Sequence, residues 1–182
     1  MENTALLIID IQNDYFPSGN FELDGALEAA KKTSNILSFF RSKGMPVIHI
    51  QHESVKEGST FFLPGTDGVK IHNSVKPDKG EVVVKKNYPN SFLKTDLLKK
   101  LKENKIDNLV ITGMMTLMCV DATTRAAKDL GFNCTLIHDA TAARELSFNG
   151  QTVSADDVKT SFLAALSMVA DRTVSCDEYL RL

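Results

Sequence analysis

Three side chains in this sequence stand where chemistry is possible. Cys119 lies in GMMTLMCVDATTRAA, after an apolar run (Asn108 to Thr112) and Gly113. That order predicts a strand, a turn, and a thiol in the first turn of a helix. Free N–H groups and the helix dipole at such a position favour a thiolate and can hold an oxyanion. Cysteine is also a common small buried residue, so a packed side chain fits the position as well as a nucleophile does. Asp10 follows five apolar residues in ALLIID and is poorly hydrated there, so it needs a partner or a purpose. Lys85 and Lys86 close the run VVVKK. Carboxylate, ammonium and thiol together would supply a base, a cation to hold an anionic pair, and a nucleophile. Taken singly, each also has a structural use as a loop-capping acid, a solvated lysine or a core cysteine.

Short apolar runs alternate with amphipathic stretches along the chain. This predicts βαβ units and an α/β fold, a three-layer α/β/α sandwich around a mostly parallel, doubly wound sheet of about six strands. The strands are expected at Ala5 to Ile9, Pro46 to Ile50, Glu81 to Val84, Leu109 to Thr112, Cys134 to Ile137 and Arg172 to Ser175. A helix is expected over Gly25 to Ser42, where Ala26, Ala30, Thr33, Leu37 and Phe40 form one stripe before Gly44. Leu93, Leu97, Leu98 and Leu101 repeat the pattern. Ser154, with Asp157 three residues on, marks the start of a last helix carrying Val158, Phe162, Ala165, Leu166 and Val169. Ligands of such sheets bind at the carboxyl ends of the strands, near the point where strand order reverses. Asp10, Lys86 and Cys119 all follow or end strands, so they are expected to face one pocket.

The 182 residues fit a single domain, 1–182, with 43% hydrophobic and 24% charged residues and a net charge of -2. No basic stripe suits nucleic acid, and no run is apolar and long enough to cross a bilayer. With no signal-peptide pattern, a cytoplasmic location is expected. Three cysteines at wide spacing, Cys119, Cys134 and Cys176, suit neither a disulfide framework nor a zinc knuckle. Glu53 to Lys79, rich in Gly and Pro, reads as a long loop of the kind that is often functional, with Phe61 and Phe62 as candidate pocket walls, loop packing or a subunit contact.

Five segments carry a family resemblance: LLIIDIQNDYF, VIHIQHE, VVVKKNYPNSFLKTDL, LVITGMMTLMCVDATTRAA and the HDA after the fifth expected strand. Through them nearly the whole chain resembles the isochorismatase-like cysteine hydrolases, which include nicotinamidases, N-carbamoylsarcosine amidase, and ureidoacrylate and streptothricin hydrolases. The resemblance implies a catalytic Asp10, Lys86 and Cys119, with Lys85 as the competitor one position away. It also implies a cis peptide bond between Met114 and Met115, and an oxyanion hole from the N–H groups of Met115 and Cys119. The activity implied is cleavage of a C–N bond in a small amide, carbamoyl or lactam compound through a thioester on Cys119, without a cofactor, in a homo-oligomer (dimer or tetramer). Two other functions share the fold. One is isochorismatase-type hydrolysis of a vinyl ether, which needs the acid and no thiol. The other is non-catalytic binding of a metabolite or a protein partner.

The chain departs from its relatives at informative places. Where nicotinamidases carry an Asp-x-His metal motif, this chain reads HIQHES, so no metal is expected, although His52 with His72 remains a conceivable pair. His49 and His52 lie three apart and should not share a strand face. His138 offers a second candidate partner for a cysteine. Met115 replaces a small residue of many relatives, and Leu117 stands where others have His, which implies a more apolar pocket and disfavours nicotinamide. Tyr15, Phe16, Phe61 and Phe62 are the expected apolar wall, and Gln12 and Asn90 the expected polar anchors of substrate.

Overall fold

The computed structural model describes residues 2–181. Its centre is a six-stranded parallel sheet built from β1 (Thr4–Ile9), β2 (Val47–His52), β3 (Val82–Lys86), β4 (Asn108–Met114), β5 (Asn133–Ala142) and β8 (Arg172–Val174). The spatial order is β3-β2-β1-β4-β5-β8, so the winding direction reverses between β1 and β4. Every adjacent pair is parallel. The expected α/β architecture is therefore present, with strand positions shifted by a residue or two at most of the ends.

All six residues of β1 are buried, because helices cover both faces of the sheet. The two-residue period of a strand sends Leu6 and Ile8 into one apolar core and Ala5, Leu7 and Ile9 into the other. On the first side lie α1 (Ala26–Ser42), through Ala26, Ala30 and Phe40, and the short α5 (Cys176–Tyr179). On the second lie α2 (Leu97–Glu103), through Leu97 and Leu101, and α3 (Asp121–Asp129), through Ala127. The helix α4 (Ala155–Ser167) reaches both cores through Val158 and Leu166, and its first turn is capped by Ser154, which accepts from the Asp157 N–H at 3.1 Å.

Three expectations are corrected. The α2 helix begins only at Leu97, and Leu93 precedes it on the surface, 44% exposed. The strand β5 runs on to Ala142, past the expected end at Ile137, so His138 and Asp139 lie within it rather than after it. A register irregularity between Ile111 and Gly113 of β4 accommodates the longer strand. A hairpin of β6 (Leu146–Phe148) and β7 (Gln151–Val153) was not expected, though its Asn149-Gly150 turn, with φ of 50° and 75°, carries the usual two-residue signal. Its strands are only three residues long and exposed at every position, too short for an alternating pattern to show.

Gly113 is required where β1 and β4 meet: it has φ 127°, and a side chain there would collide with the carbonyl of Ile9. The two strand ends that lead to Asp10 and Cys119 are thereby drawn close. Far from that point, buried His49 points to the opposite face from His52, with Nε2 2.9 Å from Glu81 Oε2, while Arg41 donates to both Glu81 oxygens at 2.8 Å. Burial works to raise the Glu81 pKa, but the Arg41 hydrogen bonds, the Asp78 N–H and His49 outweigh it and bring the value down from 4.5 to about 2. A group depressed in the folded state stabilises above its unfolded value and loses that contribution as pH falls through its folded value. Stability is thus expected to decline as pH drops from about 4.5 to about 2, and Glu81→Gln to flatten part of that slope in urea unfolding measured across this range. An unchanged slope would contradict the assignment.

Candidate active site

Asp10, the residue after β1, adopts a left-handed conformation (φ 49°) that turns the chain off the sheet. Its carboxylate is fully buried, and Lys86 Nζ lies 2.7 Å from Oδ2. The pair is a close ion contact without hydrogen-bond alignment, and among the described residues no other group donates to either oxygen. Lys86 ends β3, two strands away from β1, and its long side chain crosses the end of β2 to reach Asp10. The same ammonium is 3.1 Å from Cys119 Sγ, 3.0 Å from His52 Nδ1 and 3.1 Å from the Tyr88 carbonyl. Its three donors match these three acceptors, and the Asp10 carboxylate adds charge attraction. Lys85 points the other way, 63% exposed and paired with Glu53 at 2.6 Å, as strand alternation requires.

Cys119 sits in a widened, π-helical turn (Thr116–Val120) that runs into α3, not in the first turn of an ordinary helix. The peptide bond between Met114 and Met115 is cis. The Met115 carbonyl accepts from Met118 and Val120 at 3.1 and 3.2 Å, and Thr116 Oγ1 donates to Ala142 at 2.9 Å, which pins the turn to the end of β5. Of the two residues expected to offer oxyanion donors, Met115 immediately precedes this turn and Cys119 lies within it, and they are 8% and 5% exposed.

Electrostatics here differ from the sequence-based expectation. Burial pushes the Cys119 thiol far above its ordinary range, the Asp10 charge pushes the same way, and Lys86 only opposes them. The thiol is therefore protonated at rest, and a helix terminus does not make it a standing thiolate. For Lys86, burial works against the charge, but Asp10 and then Cys119 outweigh it and raise its pKa. His52 is neutral, since burial and then Lys86 lower its pKa. Its Nδ1 faces the ammonium and so accepts, which leaves the proton on Nε2.

Asp10, His52 and Cys119 bring one ligand atom each within 4.8 Å of one another, an arrangement that suits a cation. Lys86 Nζ already stands at 2.7, 3.0 and 3.1 Å from them, so the side chain supplies the positive charge that a metal would bring. His72 lies apart: its Nδ1 contacts Ser74 Oγ at 2.8 Å, and its ring stacks on Phe16 at 3.7 Å.

The expected substrate-contacting residues divide. Tyr15, Phe61 and Phe62 form one wall, with ring centres 4.6 Å apart for Tyr15 and Phe62 and 5.0 Å for Phe61 and Phe62, and Phe62 lies 5.9 Å from the His52 ring. Buried Asp14 fixes this wall by accepting from the Phe62 N–H at 2.6 Å. The other three have different partners. Phe16 turns away with His72 to line a separate open cleft of ≈ 540 Å³ that none of Asp10, Lys86 and Cys119 borders. Gln12 has no free polar atom for substrate, because Nε2 donates to the His52 and Val69 carbonyls (2.9 and 2.7 Å) and Oε1 accepts from the His52 N–H at 2.8 Å. It clamps β2 to the Asp10 loop. Asn90 closes a local turn, with Oδ1 accepting from the Phe92 N–H at 2.9 Å. Sequence reasoning missed Phe21, stacked on Phe61 at 4.2 Å. A lone aromatic in the polar stretch SGNFELDG was the available signal.

Comparison with known proteins places this geometry. The Isochorismatase domain model matches residues 4–168. The chain belongs to the isochorismatase family. It is 44% identical over 178 residues to the isochorismatase family protein YddQ of Bacillus subtilis (strain 168), covering 98% of this chain and 99% of that one. A crystal structure from Oleispira antarctica assigned to the isochorismatase hydrolases superimposes with a TM-score of 0.95 at 49% identity, covering 100% of this chain and 98% of the other. Streptothricin hydrolase of Streptomyces noursei is 31% identical over 174 residues, 96% of this chain and 60% of that protein. As an isochorismatase-family hydrolase, this protein keeps its most buried charges at the reversal point of the sheet.

Breaking the buried pair has a defined cost. Lys86→Met leaves Asp10 without its counter-ion and is expected to destabilise the fold by about 3–5 kcal/mol in denaturant unfolding. Adding Asp10→Asn should recover at least about half of that loss, since the second change removes the stranded charge. Additive losses in the double variant would show that the two groups do not act as a pair.

Proposed function

We propose that the protein is a cysteine hydrolase that cleaves a C–N bond of a small amide, carbamoyl or lactam compound, with Asp10, Lys86 and Cys119 as the catalytic groups. The observation that carries this reading is the Lys86 ammonium in contact with both a buried carboxylate and a buried thiol. Asp10 takes the thiol proton as Sγ attacks the carbonyl carbon, so the nucleophile is generated only as it is used. The carbonyl π pair moves to oxygen and is held by the N–H groups of Met115 and Cys119. As it returns, the C–N bond breaks, and the leaving nitrogen takes the electron pair and the proton from Asp10. Water then attacks the thioester while Asp10 accepts its proton. The C–S bond breaks, and the thiolate recovers that proton. Lys86 keeps its charge throughout and stays beside the Asp10 carboxylate through each proton transfer.

The similarity to the ureidoacrylate amidohydrolase RutB of Variovorax paradoxus (strain S110) supports C–N chemistry. A vinyl-ether hydrolysis uses Asp10 alone and gives no role to the Lys86 contact with Sγ. Intact-protein mass spectrometry against a panel of amides, carbamoyl compounds and lactams is expected to trap an acyl adduct on Cys119 with product release. Cys119→Ala should lose the adduct and lower turnover at least about 1000-fold while keeping the fold. Turnover retained by Cys119→Ala would contradict the covalent route.

A further inference from the structure

The mechanism above gives no task to His52, although its ring stands inside the site. His52 ends β2 directly opposite Lys86 in the strand register, and its Nδ1 lies 3.0 Å from the ammonium. One side chain holds its backbone at both polar groups: Gln12 Oε1 accepts from the His52 N–H at 2.8 Å, and Gln12 Nε2 donates to the His52 carbonyl at 2.9 Å. Gln12 is fully buried and lies two residues after Asp10. The contacts therefore close a ring, from Asp10 to Lys86, on to His52 and Gln12, and back along the chain to Asp10. A lysine head rides on a long flexible stem, and a ring of this kind gives it one position. With one N–H spent on Nδ1 and one on the Tyr88 carbonyl, the third is left for Sγ, and the charge stays beside Asp10.

The contact holds only while the imidazole is neutral. Nδ1 offers its lone pair to the ammonium and Nε2 already carries the ring proton, so a second proton has only Nδ1 to go to. The imidazolium would then present an N–H to an ammonium 3.0 Å away, and the two cations would separate. Burial and then Lys86 on β3 lower the His52 pKa, and Asp10 beyond β1 works the other way. The other groups around the ring add little charge. Cys119, in the turn after β4, brings a protonated thiol, and Phe62 an uncharged ring 5.9 Å away. Glu53, next along the chain, is paired with Lys85 at 2.6 Å.

We propose that His52 is the positioning residue for Lys86: as a neutral acceptor it turns the ammonium toward Asp10 and Cys119, and the site fails in acid because the proton that His52 takes goes onto the atom that Lys86 needs. The proposal rests on the cysteine-hydrolase reading and adds to it the group that sets the acid limit of the reaction.

Nitrogen NMR of the imidazole reads the tautomer without any reaction. A neutral His52 with its proton on Nε2 is expected at neutral pH, changing to imidazolium only below the ordinary value of 6.5. An Nδ1–H tautomer, or an imidazolium at neutral pH, overturns the acceptor role. The second measurement is the rate at which iodoacetamide alkylates Cys119, read by peptide mass spectrometry across pH: Sγ forms a bond to carbon, iodide leaves, and the thiol proton passes to Asp10. His52→Leu removes the acceptor and is expected to slow this reaction about tenfold at neutral pH, whereas His52→Asn, whose Oδ1 reaches the place of Nδ1, largely rescues it. The native rate should fall as pH drops below 6.5, and that fall should vanish from the same range in His52→Asn, which does not titrate. A fall that persists unchanged in His52→Asn assigns the acid limit to another group and overturns the proposal, while the hydrolase reading stands. A native Cys119 inert at every pH overturns the hydrolase reading and the acid limit with it, and the tautomer still decides the Lys86 contact.

Discussion

A lysine ammonium and an aspartate carboxylate share a space from which water is excluded, and the rest of the site follows from that pairing. Neither charge is tolerable alone at zero side-chain exposure. Together the two charges offset each other, and the ammonium turns its three donors to Cys119, His52 and the Tyr88 carbonyl. The pairing also determines the state of the thiol. A cysteine beside a cation alone would ionise readily, but here burial keeps the proton on sulfur, and the Asp10 charge beside the cation works the same way. The result is a protonated thiol held beside a carboxylate, with no preformed thiolate exposed to oxidation or metals.

Topology makes this arrangement possible. Reversal of strand order between β1 and β4 opens the crevice into which Asp10 and Cys119 fall, and Gly113 lets the two strands approach there. Lys86 comes from β3, two strands away, and only a long side chain could cross the end of β2. His52 lies in the path of that crossing, directly opposite Lys86 in the strand register, and Gln12 ties its backbone to the loop after Asp10. The charges are therefore located by the sheet, and the loops supply the wall.

Continuous apolar runs such as ALLIID made the buried strands legible, and a strand that ends in an acid exposed the location of the site before any contact was known. The choice between Lys85 and Lys86 was also within reach, because strand alternation sends one to Glu53 in solvent and the other to Asp10. What could not be read depended on distant partners. Gln12 looked like a substrate anchor beside the acid, yet its atoms are spent on residues 52 and 69, brought near only by the folded loop. Phe16 and Phe62 were equivalent as isolated aromatics, and the Asp14 carboxylate that positions one of them is 48 residues away in sequence. The thiol's ionisation was misjudged for a similar reason: the helix terminus is a local feature, whereas burial and the Asp10 charge are products of the whole fold.

The most direct measurement is the ionisation of Cys119 itself, followed as thiolate ultraviolet absorbance in the native protein minus that of Cys119→Ser across a pH titration. The account predicts no thiolate signal from this residue near neutral pH, with the signal growing in only above the ordinary cysteine range. A full thiolate signal at or below neutral pH would mean that the cation serves sulfur first and Asp10 second, and would contradict the pairing on which the account rests.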